Sequence, residues 1–168
     1  QPLQQVLETL CAEYDAPRDR LQGDLLALVA QLADAGLVTV DLKNPLEPKL
    51  ASVMPLMDAR ASAIQFRYLW VTDKDGVKLF DVTDLRNPVA VPSGTVLLAD
   101  ARRIYLARTY AYVAGGKDGL VIVDVERPEQ PAVLTRFSAE GRINYARAVV
   151  VGSTNAPPFV YVAEGRNG

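Results

Sequence analysis

No histidine occurs anywhere in the 168 residues. This removes the side chain that most often serves as general base, imidazole metal ligand or partner of a nucleophilic serine or cysteine. Cys11 is the single cysteine, so no internal disulfide can form. No apolar stretch approaches the ~20 residues of a membrane-spanning helix, and no basic-then-apolar leader opens the chain. A net charge of −2 supplies no basic field for nucleic acid or an anionic membrane. These absences point away from catalysis: no catalytic residue, metal site, cofactor, nucleic-acid partner or membrane span is expected. The first residues already follow a helical pattern and the last fall in a hairpin turn, so the sequence reads as an excerpt.

What is present is apolar and periodic. Apolar residues make up 49% of the chain, enough for one substantial core. Over 1–35, Leu3, Val6, Leu7, Leu10, Cys11 and Tyr14 recur at steps of three and four, and Leu21, Leu25, Leu28, Val29 and Leu32 do so again. Asp15-Ala16-Pro17 divides the two runs and Gly36 stands where a C-terminal cap belongs, so a helical hairpin is expected. The acidic excess of the chain lies in this opening.

From Gly36 the period changes. Gly36 to Asp41, Gly76 to Asp81 and Gly119 to Asp124 are short apolar runs opened by glycine, closed by aspartate and followed by prolines. Their glycines are 40 and 43 residues apart. A second mark, Asp58-Ala59-Arg60, Asp100-Ala101-Arg102 and Tyr145-Ala146-Arg147, recurs in step, each copy just before another apolar run. Aromatic strands at 68–71, 110–113 and 159–162 lead into turn signals such as Lys74-Asp75-Gly76 and Gly115 to Gly119. Each unit is thus about four short strands in about forty residues, the period of propeller blades. Leu120 to Val123 is apolar at every position, so that strand must be covered on both faces. The expected fold is mainly β: a partial β-propeller of about three four-stranded blades over 36–168, preceded by the hairpin over 1–35.

Several residues could carry chemistry, and each has a plainer reading beside it. Asp41, Asp81 and Asp124 could form a carboxylate ring around a cation, but aspartate after a strand commonly bonds the backbone of the following loop. Asp73-Lys74-Asp75-Gly76 resembles the front of a calcium loop, yet Asp84 occupies the closing position and the segment suits a hairpin turn. Gly115-Gly116-Lys117 lacks the phosphate-loop spacing. Phe66, Tyr68, Trp70, Tyr105, Tyr110, Tyr112, Tyr145 and Tyr161 could stack bases or sugars, but strand spacing favours packing between blades. Arg60, Arg102 and Arg147 should form an arc at one level, either lining an anion channel or pairing with a neighbouring blade's carboxylates or carbonyls. Ser153, Thr154 and Asn155 sit in an insertion that lengthens the last interval, a position where propellers gain contact surfaces. These six residues are the candidate interaction sites.

Two resemblances follow from the residues quoted. Gly119 to Asp124, with looser copies at 36–41 and 76–81, resembles the signature of the LVIVD repeat family. That resemblance implies a β-propeller from a secreted or cell-surface protein, extracellular or periplasmic, with no enzymatic activity attached to the repeat. Leu10 to Pro17, Asp24 to Leu28 and Leu32 to Val38 resemble the later part of winged-helix peptide-binding domains of the PqqD kind. That family recognises a leader peptide by adding it to a sheet edge, and the strands forming such an edge would precede these helices. The reading is therefore a non-catalytic protein-interaction scaffold whose partner is a protein or further blades of the same or another chain. The alternative is a peptide-binding adaptor using the N-terminal module.

Overall fold

The computed structural model describes residues 36–152 and 159–165. The helical hairpin expected over 1–35 and the candidate residues Ser153, Thr154 and Asn155 lie outside them.

The described residues form antiparallel sheets. β1 (Leu37–Asp41) pairs β2 (Lys49–Met54). β3 (Ala61–Gln65), β4 (Tyr68–Asp73), β5 (Gly76–Asp81) and β6 (Val89–Ala90) form a meander, and β7 (Val96–Leu97) returns to pair β5. β8 (Arg103–Ala107), β9 (Tyr110–Ala114), β10 (Leu120–Asp124) and β11 (Ala132–Phe137) form the second meander. β12 (Ala146–Gly152) pairs β13 (Phe159–Glu164).

Among the described residues two complete units are therefore present, β3–β7 and β8–β11, where about three were expected. The remaining strands form two half units, each a separate two-stranded sheet. β1 and β2 match the third and fourth strands of a unit, whereas β12 and β13 match the first and second. The signature glycine is the cause of the different count, because it opens the third strand of a unit and not the first. Gly36 therefore starts half a sheet.

The repeat extends to backbone irregularities. The ladder between third and fourth strands slips between Thr39 and Val40 in the first copy and between Ile122 and Val123 in the last. In the middle copy the same place is filled by the 3-10 turn Pro92–Gly94, which separates β6 from β7. Pro92 has no N–H to give to a ladder, so the bulge there opens into a turn. The tight turn expected at Lys74-Asp75-Gly76 is present and is formed by Lys74 and Asp75, with Asp73 opposite Gly76. The glycine-rich turn after β9 is longer: Gly116 and Gly119 both take positive φ, and Gly116 pairs with Ala146 of the β12–β13 half unit. A Cβ on Gly119 would meet the Phe137 carbonyl, so glycine is required there.

The units stack face to face. Trp70, Val77 and Leu79 of the first full unit share one core with Ala111, Val113, Val121 and Val123 of the second. The opposite face of the second unit, with Ala114, Leu120, Tyr112 and Ile122, packs against Ala146, Val149, Val160 and Val162 of the β12–β13 half unit. β10 is thus covered on both sides, as its unbroken apolar run requires. The two faces differ in depth: Val121 and Val123 are fully buried while Ile122 is half-exposed.

Candidate interaction surface

The three repeated arginines meet different fates. Arg60 precedes β3, and its guanidinium bonds the Asp100 carboxylate at the same place in the next unit. It also takes Asp58 at 2.6 Å. Arg102 donates to Asp100 at 3.0 Å and reaches on to the hydroxyl of Tyr145, the residue standing at the Asp100 position in the β12–β13 half unit. The ring of Tyr145 lies 4.6 Å from the Arg102 guanidinium. Each arginine therefore clasps the following unit, and Asp100 receives two of them. Gly116 lies over this clasp, where a Cβ would strike the Asp100 carboxylate. Arg147 is exposed beside Tyr145, its guanidinium 5.8 Å from the ring. It occupies the clasp position with no following unit among the described residues.

Burial alone would raise the pKa of Asp100, but hydrogen bonds from Arg60, Arg102 and Tyr145 outweigh it and hold the carboxyl below its ordinary value. Burial likewise disfavours the Arg60 cation, while its bonds to Asp58 and Asp100 raise its pKa. Two further ties join the full units: the Thr72 hydroxyl donates to the Arg102 carbonyl at 3.1 Å, and the Tyr68 hydroxyl to Glu129 at 3.0 Å.

The signature aspartates act on the loops that follow them. Asp41 accepts the Lys43 N–H at 2.9 Å, Asp81 that of Thr83 at 2.8 Å and Asp124 that of Glu126 at 2.9 Å. The Lys43 N–H lowers the pKa of Asp41, and the Thr83 hydroxyl and N–H lower that of Asp81. Each aspartate thus turns the chain into its proline loop. Asp73 does the same for Asp75 at 2.8 Å, and Asp84 points to Arg86 and Asn87 in a different loop. Among the described residues no cluster of acidic groups could hold a metal ion. Removing such a turn bond by Asp124→Ala should lower the melting temperature by a few degrees without changing the oligomeric state, which scanning calorimetry and light scattering would check.

The aromatics divide. Trp70 is fully buried between the units, and Tyr105 and Tyr112 pack at the edge of the second core. Phe66, Tyr110 and Tyr161 instead face outward, against the expectation that the aromatics fill the space between units. Phe66 breaks two rules at once. It is 93% exposed, and it holds φ +55 in the two-residue turn between β3 and β4. Arg108 holds the matching conformation in the next unit, at φ +54. Positive φ is costly for a bulky side chain, and an exposed phenyl ring gains nothing in the fold.

This turn borders a cavity of about 340 Å³ between the two full units, lined by Gln65, Arg67, Tyr68, Arg108, Val125 and Pro128 among others. The Gln65 amide donates to the Arg108 carbonyl across it. Trp70 forms part of its wall, and its indole N–H is buried without a partner among the described residues. The groove was not legible as a site, because it is made by bringing together Gln65 and Arg108, forty-three residues apart in the chain. The available signal was weaker: a phenylalanine placed between two strands where turn residues are normally polar.

No curated protein matches the chain. Residues 1–38 match the family model of PqqD, coenzyme PQQ synthesis protein D. Residues 99–138, which carry Asp100, Arg102 and the strand Leu120–Asp124, match the family model of the LVIVD repeat.

Proposed function

We propose that residues 36–168 form part of a β-propeller serving as a non-catalytic protein-interaction scaffold in a secreted or cell-surface protein. The observation that carries this reading is the way the full units stack, through one shared core and through arginine clasps at repeat-equivalent positions. Such side-by-side packing of four-stranded antiparallel units around a ring is the propeller principle. The LVIVD match over 99–138 supports the same assignment. The lack of histidine favours a binding role over catalysis. Within this reading the groove at Phe66 is the contact surface, and Arg60 and Arg102 are structural ties.

The test is crosslinking of the native protein on intact cells, followed by recovery of the chain with its neighbours. Phe66→Ala should lose the specific neighbour while melting like wild type. Unchanged neighbours would remove the groove from the proposal, and protection from added protease on intact cells would remove the surface location. A second reading is favoured by the PqqD match: residues 1–38 bind a peptide and the β units position it. Peptide binding that persists in a chain lacking 42–168 would make that the main function.

A further inference from the structure

The cavity at Phe66 has a one-sided hydrogen-bonding inventory. The carbonyls of the turns beside it are already engaged. That of Arg67 accepts the Val82 N–H at 2.8 Å, that of Thr109 the Val125 N–H at 2.8 Å, and that of Arg108 the Gln65 amide. Glu129 accepts the Tyr68 hydroxyl. The side-chain acceptors that remain belong to Gln65, Thr109 and Glu126, which are exposed or half-exposed, so water can serve them. Donors are in surplus. The Trp70 indole N–H is buried without an acceptor among the described residues, and Trp70 forms part of the wall. Arg108 adds a guanidinium on an exposed residue.

The rest of the lining is aromatic. Tyr68 and Trp70 stand two apart on β4 and so share a face, and Pro128 joins them from the loop after β10. The Tyr68 ring is held before any ligand arrives: the Arg67 guanidinium lies 5.0 Å from its centroid and donates to its hydroxyl at 2.9 Å. Phe66 keeps its phenyl ring exposed at positive φ, which costs stability and returns no packing.

We propose that this cavity takes a proline-rich segment of a partner protein in the polyproline II conformation. The inference rests on the reading of the groove as the contact surface. A run of prolines offers carbonyl acceptors and no N–H, makes no internal hydrogen bonds, and docks on aromatic-lined grooves with little ordering left to do. It supplies the indole N–H and Arg108 with acceptors and brings no donor for the occupied carbonyls to receive. A peptide with free N–H groups meets too few acceptors here, and so does a sugar, whose hydroxyls donate as well as accept. A volume of about 340 Å³, near the lower limit of ~300–1,000 Å³ for ligand sites, admits a few residues and not a large cofactor.

The experiment titrates an acetylated, amidated decaproline into the full 168-residue chain labelled with nitrogen-15. Trp70 is the sole tryptophan, so one indole cross-peak reports the wall of the cavity. That peak should move downfield and saturate, whereas a glycine-serine decamer should leave it in place. Phe66→Gly relieves the positive φ, so it should melt at or above the wild-type temperature. It should also bind decaproline about tenfold more weakly, as loss of an aromatic anchor does. An unmoved indole peak overturns the inference. So does equal movement with the glycine-serine peptide, undiminished binding by Phe66→Gly, or a Phe66→Gly chain that melts well below wild type. If the peptide fails while Phe66→Ala still loses its crosslinked neighbour, the groove remains a contact surface for another chemistry. If that neighbour also stays, both readings fall.

Discussion

Val121→Asp is expected to abolish cooperative folding of the repeat units. Val121 is fully buried, and it contributes to the core that joins the two full units. Its neighbours in that core, Trp70, Leu79 and Val113 among them, are hydrophobic residues and supply no cation to pair with a carboxylate. Burying an unpaired charge costs more than the ~5–15 kcal/mol stability of an ordinary domain tolerates, unless the group is neutralised or the site opens. Far-UV circular dichroism through a thermal ramp would show a flat, early loss of strand signal. Ile122→Asp provides the comparison. The unbroken run Leu120 to Val123 treats its residues alike, so the sequence makes Ile122 interior; the fold leaves it half-exposed on the other face. Ile122→Asp should lower the melting temperature while leaving a cooperative transition. Equal damage from the two would show that the two faces of β10 are covered equally.

Asp100→Ala should be the next most damaging change, because one carboxylate neutralises two arginines. Its side chain is 22% exposed and accepts from Arg60 and Arg102. Removing it leaves part-buried Arg60 with Asp58 alone and part-buried Arg102 with the Tyr145 hydroxyl, at a cost of about 2 kcal/mol, since bonds to charged groups exceed neutral ones. The effect also depends on pH. The folded carboxyl is held below the unfolded value, which is about 4. Its contribution is therefore fully present above that value and is lost as pH falls through the folded pKa. Wild type should lose stability progressively below about pH 4, and Asp100→Asn should lose less over the same window. Parallel acid curves for the two proteins would mean that the clasp does not hold the units together.

Much of the fold was legible because β units repeat both their pattern and their errors. The apolar runs, the tight turn at Lys74-Asp75 and the aspartates that bond two residues ahead depend on neighbours close in sequence. Local geometry alone sets them, so their residue types announce them. The Arg60 to Asp100 clasp was half legible. Its period was visible, and pairing with a neighbouring unit's carboxylate was one of two readings, but the acceptor could not be named. That acceptor is another member of the same recurring triplet, one unit ahead, and only the stacking offset brings the two together.

The groove at Phe66 was not legible in this sense. An exposed phenylalanine in a two-residue turn looks like any strand aromatic until both ends of the hairpin are placed.

By itself, the order of residues determined the strands, the unit length near forty, the turn chemistry and the need for cover on both faces of β10. These follow from side-chain alternation, from positive φ at glycine and from the cost of exposed apolar surface, none of which requires a distant partner. Tertiary structure alone decided where a unit begins, which arginine meets which carboxylate and which apolar face is deep. Those outcomes depend on how one twisted sheet seats against the next, where contacts between residues some forty apart in the chain compete for the same space.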